Sequence, residues 1–123
     1  MAHILVVEDD PIFREMLMQM LQAERHQVTA ANDGQEALAL IQRKPPDLVL
    51  TDILMPDMDG ITLVGELRAL PKAPPIIAMS GGRRSISADF NLASADLMGV
   101  QASLQKPFSR QMLLETIRKV LAA

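Results

Sequence analysis

No cysteine occurs in the chain, so neither a disulfide framework nor thiolate chemistry is open to it, and a reducing compartment such as the cytoplasm is expected. Tryptophan and tyrosine are also missing, so no ring with a polar tip can work as a moving part. Histidine occurs twice, at His3 and His26, which do not form a pair; with no thiolate either, zinc is a poor fit. Long apolar runs are absent too. The stretch Ile4 to Val7 is cut off by Glu8, Asp9 and Asp10, which rules it out as a signal-peptide core or a membrane span. The twelve basic residues are scattered within a net charge of -3, so the stripe needed to follow a phosphate backbone is lacking and no nucleic-acid partner is expected. What remains is a chain of 123 residues, 49% hydrophobic, able to build a core without staples. Residues 1–123 read as one domain, with no linker, repeat, low-complexity tract or output domain.

Ile4 to Val7 has the branched, unbroken apolar character of a strand covered on both faces. A helix follows from Pro11 to about Glu24, with Phe13, Met16, Leu17, Met20 and Leu21 at helical spacing. Gln27 to Ala30 is a weaker strand, and Asn32-Asp33-Gly34 offers a turn and cap for a helix carrying Ala37, Leu38 and Ile41, stopped by Pro45-Pro46. Leu48 to Leu50 repeats the buried-strand pattern and runs into Thr51-Asp52. Asp59-Gly60 then opens a helix through Ile61, Leu63, Val64 and Leu67. Ile76 to Met79 is a fourth strand, Ser80 to Ser85 a loop, and Asp89 to Met98 a helix of modest apolar content. Ala102 to Gln105 is a short fifth strand, and Met112, Leu113, Ile117, Val120 and Leu121 mark a final amphipathic helix. Strands alternating with helices imply a doubly wound α/β fold, with a parallel sheet covered on both faces.

In such sheets ligands bind beyond the carboxyl ends of the strands. Glu8 and Asp9 follow the first strand, Asp52 ends the third, Ser80 follows the fourth and Lys106 the fifth, so four segments aim at one pocket. Crowded carboxylates repel, and a divalent cation relieves them. Mg2+ suits an oxygen-only set, with Asp9 and Asp52 as direct ligands, the Leu54 carbonyl as a third and Glu8 reaching the ion through water. Lys106 adds a mobile positive charge and Ser80 a hydroxyl donor, both suited to phosphoryl oxygens. Plainer roles fit several other residues. Asp10, just before Pro11, is a helix cap, Asp57 and Asp59 are turn and cap residues, and the two histidines fall at surface or strand-end positions. Phe108 reads as packing and the nine methionines as core filler. Taken alone, Ser80 would satisfy local backbone and Lys106 would be a solvated charge.

Val6-Val7-Glu8-Asp9-Asp10, the segment from Asp52 through Pro56-Asp57 to Gly60, Ser80 and Lys106-Pro107-Phe108 together resemble the receiver domain of two-component response regulators, over the whole chain. The resemblance implies a flavodoxin-like (βα)5 fold of strand order 2-1-3-4-5, metal binding by Glu8, Asp9 and Asp52, phosphorylation of Asp52, and sensing of the phosphoryl group by Ser80 and Lys106. It further implies a histidine kinase or histidine-phosphotransfer protein as donor. The signal would pass to a downstream protein through the fourth helix, fifth strand and fifth helix, here about Asp89 to Leu121. Any catalysis would be limited to the chain's own phosphorylation and a slow loss of the group.

Two rivals share parts of this pattern. A Mg2+-dependent phosphohydrolase with an aspartyl-phosphate intermediate would want a second acid two positions beyond the nucleophile, where Leu54 stands. A receiver-like module that binds without phosphorylation would have no use for Asp52, Ser80 and Lys106. Some positions depart from the family. More residues than usual separate Ser80 from Lys106, with the excess around Gly81 to Phe90, including Arg83 and Arg84. Three positions before the lysine, where many members carry a mobile aromatic ring, this chain has Ser103.

Overall fold

Unbroken apolar runs form the centre of the sheet. In the computed structural model, which describes residues 2–53, 60–81 and 99–123, β1 (His3–Val7) and β3 (Leu48–Asp52) are buried along their whole length. They pair in parallel, with β2 (Gln27–Ala31) outside β1, β4 (Ile76–Gly81) beside β3, and β5 (Ala102–Lys106) at the far edge. The order is β2-β1-β3-β4-β5, the expected flavodoxin-like arrangement. The weaker pattern of Gln27–Ala31 follows from its edge position, where its residues are mostly half-buried.

Side chains alternate along each strand and so feed two separate cores. Ile4, Val6, Leu48, Leu50, Ile77, Met79 and Leu104 pack under α1 (Pro11–Ala23), through Leu17 and Leu21, and under the C-terminal helix (Arg110–Ala122), through Leu113 and Ile117. Leu5, Val7, Val49 and Ile76 pack on the other face against α2 (Gly34–Arg43) and α3 (Gly60–Arg68), through Ala37, Ile41, Leu63, Val64 and Leu67. Each fully buried Leu or Ile contributes roughly 1.5–3 kcal/mol of burial free energy.

Capping fixes where the helices begin. Asp10 Oδ1 accepts from the Ile12 and Phe13 N–H groups at 3.0 and 3.2 Å, with Pro11 at the first helical position, as expected for a cap. Asp33 accepts from Glu36 N–H at 2.8 Å, and Ser109 from Met112 N–H at 3.0 Å. His3 is a strand-end residue but a buried one, with Nε2 2.8 Å from Thr29 Oγ1, while His26 Nδ1 accepts from Ala2 N–H. Among the methionines Met79 is core, whereas Met16 and Met112 are exposed. The loop expected over Ser80 to Ser85 does not begin at Ser80: Ser80 and Gly81 pair with β5 as the last residues of β4, and the rest of that loop, with Arg83 and Arg84, lies outside the described residues, as do the helix expected over Asp89 to Met98, Asp57 and Asp59. Among the described residues, no helix is long and apolar enough to cross a membrane.

Candidate functional site

The carboxyl ends of β1, β3 and β5 bring Glu8, Asp52 and Lys106 together from points far apart in the chain. Glu8 directly follows β1, and its N–H continues the ladder by donating to the Ala31 carbonyl at 3.1 Å. Its carbonyl accepts from Arg14 Nη1 at 2.8 Å, its Oε1 from Lys106 Nζ at 2.6 Å, and its Oε2 from Asp10 N–H at 3.1 Å. The Glu8 side chain is 1% exposed, so this set of partners replaces water. Asp52 closes β3, with Oδ2 3.2 Å from the same Lys106 ammonium. Carboxylate oxygens of Glu8, Asp9 and Asp52 all lie within 4.8 Å of one another, and Asp9 is half-exposed beside its two buried neighbours.

Two carboxylates sharing one ammonium leave an excess negative charge in a buried place. Burial, and then the Asp52 carboxylate, push Glu8 up to about 7, against the opposing pull of the Lys106 ammonium and the Asp10 N–H. Burial alone would depress Lys106, but its hydrogen bond to Glu8 and the charges of Asp52 and Glu8 outweigh it and raise the lysine. The two directions agree: the ammonium stays charged, and the excess charge is relieved on Glu8.

Ser80 approaches from the other side. It continues the alternation of Ile76 and Ala78 on β4, it is fully buried, and its Oγ has no hydrogen-bond partner among the described residues. Such a hydroxyl is free to donate to a newcomer. Ser103 stands in β5 opposite Ala78, half-buried and two strand positions from the acid cluster's edge lysine neighbour, Gln105. Leu54 lies outside the described residues.

The oxygen set fits a hard divalent cation. Ligand oxygens around Mg2+ sit about 3–4 Å apart, given bond lengths of ~2.1 Å, so carboxylates already within 4.8 Å need only a small inward movement. The buried, excess negative charge also favours an added cation. Two contributors were not legible in the sequence. Arg14 braces the backbone of Glu8, and Phe13, read there as helix core, lies with its ring 4.4 Å from Lys106 Nζ. Their placement on the first turn after the acidic pair was the available signal.

Comparison with known proteins agrees with this geometry. The family model described as response regulator receiver domain matches residues 4–118. The response regulator MprA of Mycobacterium leprae is 37% identical over 118 residues, which cover 96% of this chain and 50% of that protein. The chain thus spans about half the length of that relative. Among solved structures, the chemotaxis response regulator CheY4 of Vibrio cholerae superposes with a TM-score of 0.85 at 32% identity, covering 98% of each chain. The signal receiver domain of a signal transduction histidine kinase from Syntrophus aciditrophicus gives a TM-score of 0.88 at 27% identity, covering 99% of this chain and 91% of that one. Matched by that family model over most of its length, and sharing its fold with these solved receivers, the chain belongs to the response regulator receiver domains of two-component signalling.

Proposed function

We propose that the chain is a cytoplasmic phosphoacceptor that takes a phosphoryl group onto Asp52 and passes the signal on by protein contact. The observation that carries this reading is the Asp52 carboxylate, buried at a strand end within reach of both a lysine ammonium and two further carboxylates. An Asp52 oxygen attacks the phosphorus, the P–N bond to the donor imidazole breaks, and the imidazole leaves with that electron pair and takes up a proton. The donor is a phosphohistidine on a histidine kinase or histidine-phosphotransfer protein. Because the transition state is loose, the chain's own part is alignment and charge balance. Lys106 supplies positive charge to the transferred oxygens, and the Ser80 hydroxyl, without a partner among the described residues, donates to one of them.

Asp9 and Asp52 would hold Mg2+ directly, with the Leu54 carbonyl as a third protein ligand and Glu8 behind a water. Bound there, the ion supplies charge neutralisation for the transferred oxygens. Phosphorylation adds roughly one to two negative charges at the strand ends, which biases the segment from about Asp89 to Leu121 toward a conformation read by a downstream protein. The test is incubation with Mg2+ and acetyl phosphate followed by intact mass. One phosphoryl adduct, lost in Asp52→Asn, supports the acceptor. Continuing release of phosphate from many esters would point to a hydrolase, and no reaction would leave a module that binds without phosphorylation.

A further inference from the structure

The Lys106 ammonium has a neighbour that the acceptor chemistry does not require. Besides Glu8 Oε1 at 2.6 Å and Asp52 Oδ2 at 3.2 Å, Nζ lies 4.4 Å from the centroid of the Phe13 ring. That is well inside the ~6 Å reach of a cation–π contact. Phe13 belongs to the first turn of α1, where Asp10 accepts its N–H at 3.2 Å. Its ring meets Phe108 edge to face, with centroids 5.8 Å apart and planes at 76°. Of the three phenylalanines in the chain, two therefore meet beside this lysine.

A lysine is a point charge on a flexible stem, and carboxylates attract it without choosing among its rotamers. Here its side chain is 19% exposed, so water competes for the remaining donor positions. A ring face in contact with the ammonium restricts that competition, and the T-shaped contact with Phe108 fixes the tilt of that ring. The ring also carries no net charge that a reaction at Asp52 would alter.

We infer that Phe13 is a positioning residue: its ring, braced by Phe108, holds the Lys106 ammonium over the carboxylate pocket, in line with the oxygens of a phosphoryl group arriving at Asp52. This role rests on the acceptor reading above. Leucine at this position would still pack against Phe108 but offers no negative face, whereas tyrosine keeps the face.

The experiment follows Mg2+-dependent labelling by acetyl phosphate, read by intact mass over time, in wild type, Phe13→Leu and Phe13→Tyr. Phe13→Leu slows labelling roughly fivefold, equivalent to ~1 kcal/mol, and Phe13→Tyr stays within about twofold of wild type. Equal rates for wild type and Phe13→Leu, or equal slowing by Leu and Tyr, would show that the ring only packs. A second readout needs no donor. Phe13→Trp places the sole indole of the chain at the contact, and adding Lys106→Met shifts its fluorescence emission; unchanged emission overturns the contact. A wild-type chain that takes no label while that shift is present overturns the acceptor reading and the positioning role with it, but leaves the contact standing.

Discussion

Arg14 donates from Nη1 to the backbone carbonyl of Glu8 across 2.8 Å, tying the first turn of α1 to the end of β1. The acidic pair is thereby held through its backbone. Arg14→Ala is expected to cost about 1–2 kcal/mol of stability and to weaken Mg2+ binding about tenfold, the effect typical of groups that orient ligands from behind. Urea unfolding and Mg2+ titration measure the two; an unchanged affinity would confine Arg14 to the fold.

Asp52→Asn should abolish the phosphoryl adduct while the chain stays folded, because the amide keeps the shape but is no nucleophile. It also removes one of the two negative charges facing Lys106, so Glu8 should shift down from about 7. Persistent labelling in the intact mass would reassign the acceptor.

Metal-free stability should fall as pH rises from about 4.5 to about 7. Over that window native Glu8 keeps a proton that the unfolded chain has released, so the native state binds more protons and each step up in pH favours unfolding. The contribution is fully present below the lower value and lost above the upper one, with a span of no more than about 3 kcal/mol. Urea unfolding across this range, compared with Glu8→Gln, isolates it: the wild-type slope should exceed the mutant's. Saturating Mg2+, which favours the ionised carboxylates, should reverse the trend.

Loss of the phosphoryl group should be slow. Two positions beyond Asp52 stands Leu54 and two beyond Ser80 stands Gly82, and neither side chain can orient an attacking water. The expectation rests on residue type alone. Leu54→Asn should speed dephosphorylation roughly tenfold, as one positioning hydrogen bond would, and an unchanged decay of the adduct would rule out this cause.

Ser103 occupies β5 opposite Ala78, where a ring could swing but a hydroxymethyl buries little. Ser103→Ala is therefore expected to alter the conformational response by no more than about 0.5–1.5 kcal/mol, one hydrogen bond's worth. Amide hydrogen exchange with and without a phosphoryl mimic measures it. A response centred on Ser103 that vanishes in the mutant would place the switch there after all.

The elements covered on both faces were the most legible in sequence. Ile4 to Val7 and Leu48 to Leu50 need no context, because a central parallel strand must be apolar throughout. Edge strand Gln27–Ala31 carried a fainter pattern for the opposite reason. The candidate site was legible only as strand ends pointing one way. That Glu8 pairs directly with Lys106 joins residues 98 apart in the chain, and no local pattern encodes it. Phe13 was hidden because an aromatic at helical spacing reads as core, and only the fold reveals that it faces the lysine. His3 was placed at a strand end but not recognised as buried, since its partner Thr29 comes from the neighbouring strand.

The alternation of side chains sets Asp52 and Lys106 in line with the residues beneath α1 and the C-terminal helix, and Ser80 in line with those beneath α2 and α3. The pocket is thus a seam where two otherwise insulated layers of the protein meet. Anything covalently attached at Asp52 and gripped by both Lys106 and Ser80 works as a rivet through the sheet, and tightening it loads both layers at once. The reverse also holds by reciprocity: a protein pressing on either layer alters how firmly the rivet sits. A donor and a recipient could therefore use opposite faces of the molecule and still sense each other through a single attached group.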